Sequence, residues 1–290
     1  MKQLAILSGK GGTGKTMVAA GLATMAARAG RVVLVDADVD AANLELILRP
    51  DILQAADFSG GKRAVIDAHA CTACGRCASA CRFEAVEQQG GAYRVDAMAC
   101  EGCAACAYQC PTGAIQMQDS PSGQWFRSET RVGPLVHARL QPGEQNSGKL
   151  VSRIRQEAVA WGTECRADWV LIDGSPGIGC PVIAAATGAD QALLVAEPTV
   201  SGLHDLERVL AVVGHFRLPA AVCINKCDIN LRMAQEIVHF CTERQVPVWA
   251  QLPYSEVVLE AMRRELAVTE LPENPVARGI RQLWAALRTV

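Results

Sequence analysis

The first 36 residues place the tightest constraint on the fold. Residues 2–7 form a short apolar run that leads directly into Gly9–Thr16, GKGGTGKT, which fits G-x-x-x-x-G-K-[ST]. Backbone amides of such a loop converge on phosphate oxygens at the start of a helix. Residues 15–29 are rich in small side chains and read as that helix, stopped by Gly30. Residues 31–36, RVVLVD, are continuously apolar up to the aspartate, as in a strand buried on both faces of a parallel sheet. Strand, loop, helix and strand in that order make a right-handed crossover unit. The loop carries two lysines, Lys10 and Lys15, although one is enough to reach the β- and γ-phosphates of a nucleotide.

The same alternation returns later in the chain. WVLID (169–173), ALLVAE (192–197) and AAVCIN (220–225) read as strands, separated by helical stretches at 202–216 and 231–244. The expected fold class is α/β, a mostly parallel P-loop sheet with helices on both faces. Residues 58–120 break this pattern with eight of the 13 cysteines and no long helical period, so they read as a small inserted domain. The expected organisation is therefore a discontinuous nucleotide-binding domain, residues 1–57 and 121–290, interrupted by the insert. Residues 121–148 are polar and rich in proline and glycine, with two short strands expected near Trp125 and Leu135.

Charge narrows the partners. A formal net charge of −2 points away from nucleic acid and from anionic membrane. No stretch is long and apolar enough to span a bilayer, and the first apolar run is too short for a signal peptide. A cytoplasmic location is expected. In a reducing compartment, so many cysteines argue for metal ligation rather than disulfides.

The cysteines fall into two identical runs. The first is Cys71-x2-Cys74-x2-Cys77-x3-Cys81, and the second is Cys100-x2-Cys103-x2-Cys106-x3-Cys110 followed by Pro111. Paired C-x2-C units also bind zinc. Two four-cysteine runs at this spacing instead copy the bacterial ferredoxin run, whose fourth cysteine ligates the other cluster. That resemblance implies a ferredoxin-like α+β insert with two [4Fe-4S] clusters. Cys71, Cys74, Cys77 and Cys110 would hold one, and Cys81, Cys100, Cys103 and Cys106 the other. Arg82 stands where the usual run has proline, which removes no ligand. The clusters could carry electrons, be cargo, or serve structure alone.

The loop with its extra lysine resembles the deviant phosphate loop of the MinD/ParA/Mrp ATPases, to which the nitrogenase iron protein is distantly similar. The resemblance covers the chain outside the cysteine insert, and family members with a ferredoxin insert after the first switch are known. It implies ATP and Mg²⁺ as ligands, with contacts from Gly9, Lys10, Gly11, Gly12, Thr13, Gly14, Lys15, Thr16 and Met17. Lys15 would reach the β- and γ-phosphates, and the Thr16 hydroxyl would bind Mg²⁺. Lys10 would act across a dimer on the partner's nucleotide, like an arginine finger. VDADVDAANLEL (35–46) resembles the first switch, where Asp36 and Asp38 match the acidic pair and Asp38 is expected to orient the attacking water. VLIDGSPGIGCPV (170–182) resembles the second acidic motif, with Asp173 binding Mg²⁺ through water. Asn225 and Lys226 belong to NKCD, which ends a strand where the base would lie. N-K-x-D is also a guanine-reading motif. The absence of D-x-x-G at Asp173, together with Lys10, favours ATP.

Cys180 falls where the nitrogenase iron protein has a cluster cysteine, but no second cysteine stands at matching distance, so a buried small residue is expected there. Residues 276–287 form an amphipathic pattern, expected to pack on the sheet rather than on a membrane. The resulting expectation is an ATPase that pairs as a homodimer or with a related ATPase and couples nucleotide state to electron transfer with a partner protein. Two alternatives stand beside it. One is an ATP-dependent metallocluster assembly factor that passes clusters to an acceptor, and the other is a MinD/ParA-like positioning ATPase with sensor clusters.

Overall fold

The computed structural model describes residues 1–141, 144 and 146–289. In chain order the first elements are β1 (Lys2–Ser8), α1 (Lys15–Ala29), β2 (Val32–Asp36), α2 (Leu44–Leu48) and β3 (Asp51–Ile66). Next come α3 (Arg76–Ala80), β4 (Val86–Gln89), β5 (Ala92–Val95), α4 (Ala105–Gln109), β6 (Ile115–Thr130) and β7 (Gly133–Leu140). The remainder is α5 (Ser147–Glu164), β8 (Trp169–Pro176), α6 (Cys180–Ala186), β9 (Gln191–Ala196), α7 (Val200–His215) and β10 (Ala220–Asn225). The chain then closes with α8 (Leu231–Glu243), β11 (Val248–Leu252), α9 (Val257–Arg263) and α10 (Pro275–Thr289).

Two compact units emerge. The first is Met1–Ala56, Trp125–Arg139 and Ser147–Val290; the second is Asp57–Gln124 with Leu140–Asn146. In the first unit the strands run in the order β11-β10-β9-β1-β8-β2-β7, each neighbour parallel to the next. β1 lies between β8 and β9, which is why Leu4, Ala5, Ile6 and Leu7 are all fully buried. The small residues of α1 let it lie close to its neighbours, and Gly21 faces Ile280 of α10. Val276, Ile280, Leu283, Trp284 and Leu287 of α10 are buried in that core, so the amphipathic C-terminal helix does pack on the body of the protein. Among the described residues no helix is long and apolar enough to cross a membrane.

In the second unit β4 and β5 pair antiparallel across Gly90 and Gly91. The two cysteine runs fold alike. Each has a left-handed residue three positions before its helix begins (Ala73, Gly102), a left-handed cap (Gly75, Ala104), a five-residue helix that carries the third cysteine (Cys77, Cys106), and an extended fourth cysteine. Cys77 and Cys106 are buried beside Ala64, Val86 and Ile115 in a small core.

Candidate functional site

The phosphate loop leaves the central strand at its C-terminal end, the usual ligand edge of an open parallel sheet. Gly14 caps α1 with φ +89, and a Cβ there would meet Asn225 Nδ2 at 2.2 Å. Only glycine fits both demands. A cavity of about 420 Å³ opens above the loop. Gly11–Met17 line its floor, Asp38, Asn43 and Pro176 one wall, and Leu46, Ile47, Val258 and Met262 an apolar side.

The charges beneath this cavity are close together and nearly dry. Lys15 Nζ donates to Asp173 Oδ1 at 2.9 Å, with both side chains buried. Asp36 pairs in register with Asp173 on the adjacent strand. Its carboxylate accepts from the amides of Asp38 (3.2 Å) and Leu44 (2.9 Å). Burial, and then the charge of Asp173, pushes Asp36 up to about 8. Burial also raises half-buried Asp38, and Asp173 and Asp40 add to the rise while Lys15 opposes it. Burial alone would lower Lys15, but the Asp173 charge and hydrogen bond hold it above its usual value. Asp173 Oδ2 and Thr13 Oγ1 are buried and find no hydrogen-bond partner among the described residues. Two carboxylates against one ammonium, with one oxygen orphaned, is a donor set that fits a divalent cation. Thr16, half-buried on the first turn of α1, lines the same cavity. The segments bearing Asp38 and Asp173 are tied together: Ala37 N donates to Asp173 O, and Ser175 Oγ to Ala37 O.

Lys10 lies on the opposite side of the loop. Its Nζ is 2.5 Å from Glu197 Oε1 and donates to Ser201 Oγ (3.0 Å) and Thr199 Oγ1 (3.2 Å). Lys226 takes the other carboxylate oxygen of Glu197 at 3.3 Å and donates to Gly12 O at 3.0 Å. Burial would raise the Glu197 carboxyl, but its bonds to Lys10 and Lys226 pull it below the usual range. Asn225 is buried and gives its side-chain amide to Thr13 O at 2.8 Å, so it braces the loop. Asp228, the last residue of NKCD, accepts from Tyr254 N at 2.7 Å.

Glu197 is the residue that sequence reasoning missed. Its signal was a lone acid directly after a buried strand, at the ligand edge of the sheet. Cys180 is a correction: it is exposed, because it opens α6 and the buried face of that helix begins only at Val182.

In the second unit Cys77 and Cys106 are buried, Cys74 and Cys103 exposed, and Cys71, Cys81, Cys100 and Cys110 half-buried. Burial raises the Cys77 thiol against two backbone hydrogen bonds, and Cys71 and Cys74 add to it. Burial likewise raises Cys106, with Cys100 and Cys103 contributing. Slight desolvation works against Cys110, but bonds from Thr112, Ala114 and Gly113 hold its thiol below the usual value. Cys81 of the first run lines one narrow hollow together with Cys100, Cys103 and Cys106 of the second. Among the described residues no group of three or more His, Cys, Asp or Glu side chains converges tightly enough to hold a single metal ion.

Comparison with known proteins bears on the whole chain. The profile of the CobQ/CobB/MinD/ParA nucleotide binding domain matches residues 4–268. An uncharacterized protein of Methanocaldococcus jannaschii, MJ0578, is 35% identical over 230 residues, 79% of each chain. A second from that organism, MJ0579, is 24% identical over 241 residues, 79% of this chain and 82% of its own. Among solved structures, the septum site-determining protein MinD of Pyrococcus horikoshii, complexed with Mg-ADP, superposes with a TM-score of 0.61 at 18% identity, covering 99% of this chain and 95% of its own. The Aquifex aeolicus MinC:MinD complex gives 0.62 at 18% identity, covering 100% and 97%.

Proposed function

The chain belongs to the CobQ/CobB/MinD/ParA nucleotide-binding family of P-loop ATPases, and from that premise we propose that it couples ATP binding and hydrolysis to electron transfer through two [4Fe-4S] clusters in its second unit. The observation that carries the cluster reading is the hollow shared by Cys81, Cys100, Cys103 and Cys106. It joins the fourth cysteine of one run to the first three of the other, the crossed set expected of a two-cluster ferredoxin. The donors are four sulfurs, and Val86, Val95 and Met117 supply apolar walls. Thiolates capping the corners of a cubane stand farther apart than ligands around one ion, so the lack of a single-ion site does not oppose this assignment. Cys71, Cys74, Cys77 and Cys110 hold the other cluster in this reading. When bound, the clusters supply one-electron storage; the chain's thiolates fix their charge and its apolar walls limit water.

In the nucleotide site Lys15 neutralises phosphate charge once it turns from Asp173, and Asp173 and Asp36, with Thr16, hold Mg²⁺. Asp38, at the cavity wall, orients the attacking water. Lys10 acts on the nucleotide of a second chain. The test is anaerobic purification followed by iron analysis and spectroscopy before and after dithionite. The expected result is about eight irons per chain and reversible reduction. Zinc in their place would overturn the cluster reading. Transfer of a cluster to an apo-acceptor protein, without reversible reduction, would replace electron transfer by cluster assembly.

A further inference from the structure

We infer that Glu197 is a positioning residue that parks Lys10 within its own chain, and that breaking this contact is a required step of nucleotide-dependent pairing. The inference rests on the proposed action of Lys10 across a dimer. Lys10 Nζ stands among Glu197, Thr199 and Ser201, at the first turn of α7. Thr199 is the N-cap of that helix, and its hydroxyl accepts from Gly202 N at 2.9 Å. A helix N-terminus favours anions and disfavours a cation. The two hydroxyls cannot offset that alone, so the Glu197 carboxylate is what retains the ammonium. While it does, Lys10 is directed at its own chain and not at a second nucleotide.

The arrangement also makes release inexpensive. Glu197 grips Lys226 through its other oxygen, so departure of Lys10 leaves the carboxylate paired rather than stranded. Lys226 remains anchored on Gly12 O. The Lys10 and Glu197 side chains are 27% and 18% exposed, so solvent screens the contact in part. The geometry therefore describes a weak latch, strong enough to bias the resting chain and weak enough for a bound triphosphate on a partner to overcome. It must open once in each chain, so its equilibrium factor enters twice for every dimer formed.

The test is Glu197→Gln, which keeps the shape and removes the charge. Sedimentation velocity with a non-hydrolysable ATP analogue gives the dimer dissociation constant. Loss of an ion pair of this kind changes an equilibrium by about two- to five-fold, so two latches predict a dimer about four- to twenty-five-fold tighter. ATP affinity of the monomer should not change. A merely structural role for Glu197 would weaken pairing, not strengthen it. The double variant Lys10→Ala/Glu197→Gln should lose the gain. A wild-type dimer that Glu197→Gln leaves unchanged or weakens would overturn the latch while sparing the action of Lys10 across the dimer. A gain that persists without Lys10 would do the same. Monomers throughout, wild type and variant alike, would overturn both.

Discussion

Asp36, Asp173 and Lys15 share a space with almost no solvent, and their charges do not balance. Asp36 carries the imbalance, with its carboxyl raised from 3.8 to about 8 by burial and then by Asp173. A raised folded value means the folded chain holds the proton more tightly than the unfolded one. The stability that this group contributes is complete below about 3.8 and lost as pH rises through about 8. Asp36→Asn should therefore stabilise the nucleotide-free chain at pH 8 and above, on the order of 1–3 kcal/mol. It should also flatten the pH–stability curve between about 3.8 and 8, where the folded chain keeps a proton that the unfolded chain has lost, as measured by urea melts, while Mg²⁺-dependent hydrolysis is lost. An unchanged pH slope would refute the assignment of the imbalance to Asp36. The two lysines separate in the same way. Lys15→Ala should weaken ATP binding itself, whereas Lys10→Ala should spare binding by the monomer and reduce hydrolysis and pairing. Equal loss of ATP affinity in a direct titration would defeat that division. Lys15, Asp36 and Asp173 were legible because each occupies a motif position whose chemistry is local. The partner of Lys10 was not, since Glu197 lies 187 residues away in a stretch with no motif of its own. Cys180 was misread because position within a helix, not hydrophobicity, sets its exposure.

Elements were legible in proportion to how completely they are buried. α1 and β10 appear with the bounds their composition suggests, because small or apolar residues fill most of their buried positions, with the buried Lys15 and Asn225 standing only at the ends that face the loop. β3 left no such mark. Most of its 16 residues are exposed, so no alternation of apolar and polar residues records the strand. β6 is equally long, and only its part around Trp125 and Phe126 was readable. The contact between α1 and α10 supplies a prediction at this scale. A Cβ on Gly21 would come within 2.6 Å of Ile280 Cδ1 and 3.2 Å of its Cγ2. Gly21→Ala gains helix propensity of about 1 kcal/mol, but overpacking of a filled interface costs typically 1–3 kcal/mol. A net loss of stability is expected. Ile280→Val removes Cδ1, so the double variant should recover part of that loss. Thermal melts of the two single variants and the double would show strict additivity if the helices were not in contact here.

At the scale of the molecule, the α/β class and the presence of a cysteine-rich insert were legible, because a break in periodicity and two repeated spacings need no tertiary information. The return of Leu140, Gln141, Glu144 and Asn146 to the second unit was not, since so few residues carry no pattern that names their neighbours. The chain itself runs from one unit to the other: the stretch bearing Asp36 and Asp38 continues into the second unit at Asp57. If ATP favours one arrangement of that stretch, and the arrangement alters the surroundings of the clusters, linkage fixes the reverse effect. Reduction must change ATP affinity by the same factor by which ATP changes the reduction equilibrium. A coupling of about 1–3 kcal/mol is typical of such pairs of sites. For a one-electron couple a tenfold change corresponds to about 59 mV, so shifts of tens of millivolts are expected. Anaerobic potentiometric titrations with no nucleotide, with ADP and with a non-hydrolysable ATP analogue measure one side. ATP titrations of the oxidised and reduced protein measure the other. Asp38→Ala, by blocking hydrolysis, should give with ATP the midpoint that wild type gives with the analogue. Identical midpoints under all three conditions would make the clusters passengers on an ATPase, and the coupling at the centre of the proposed function would fall with that result.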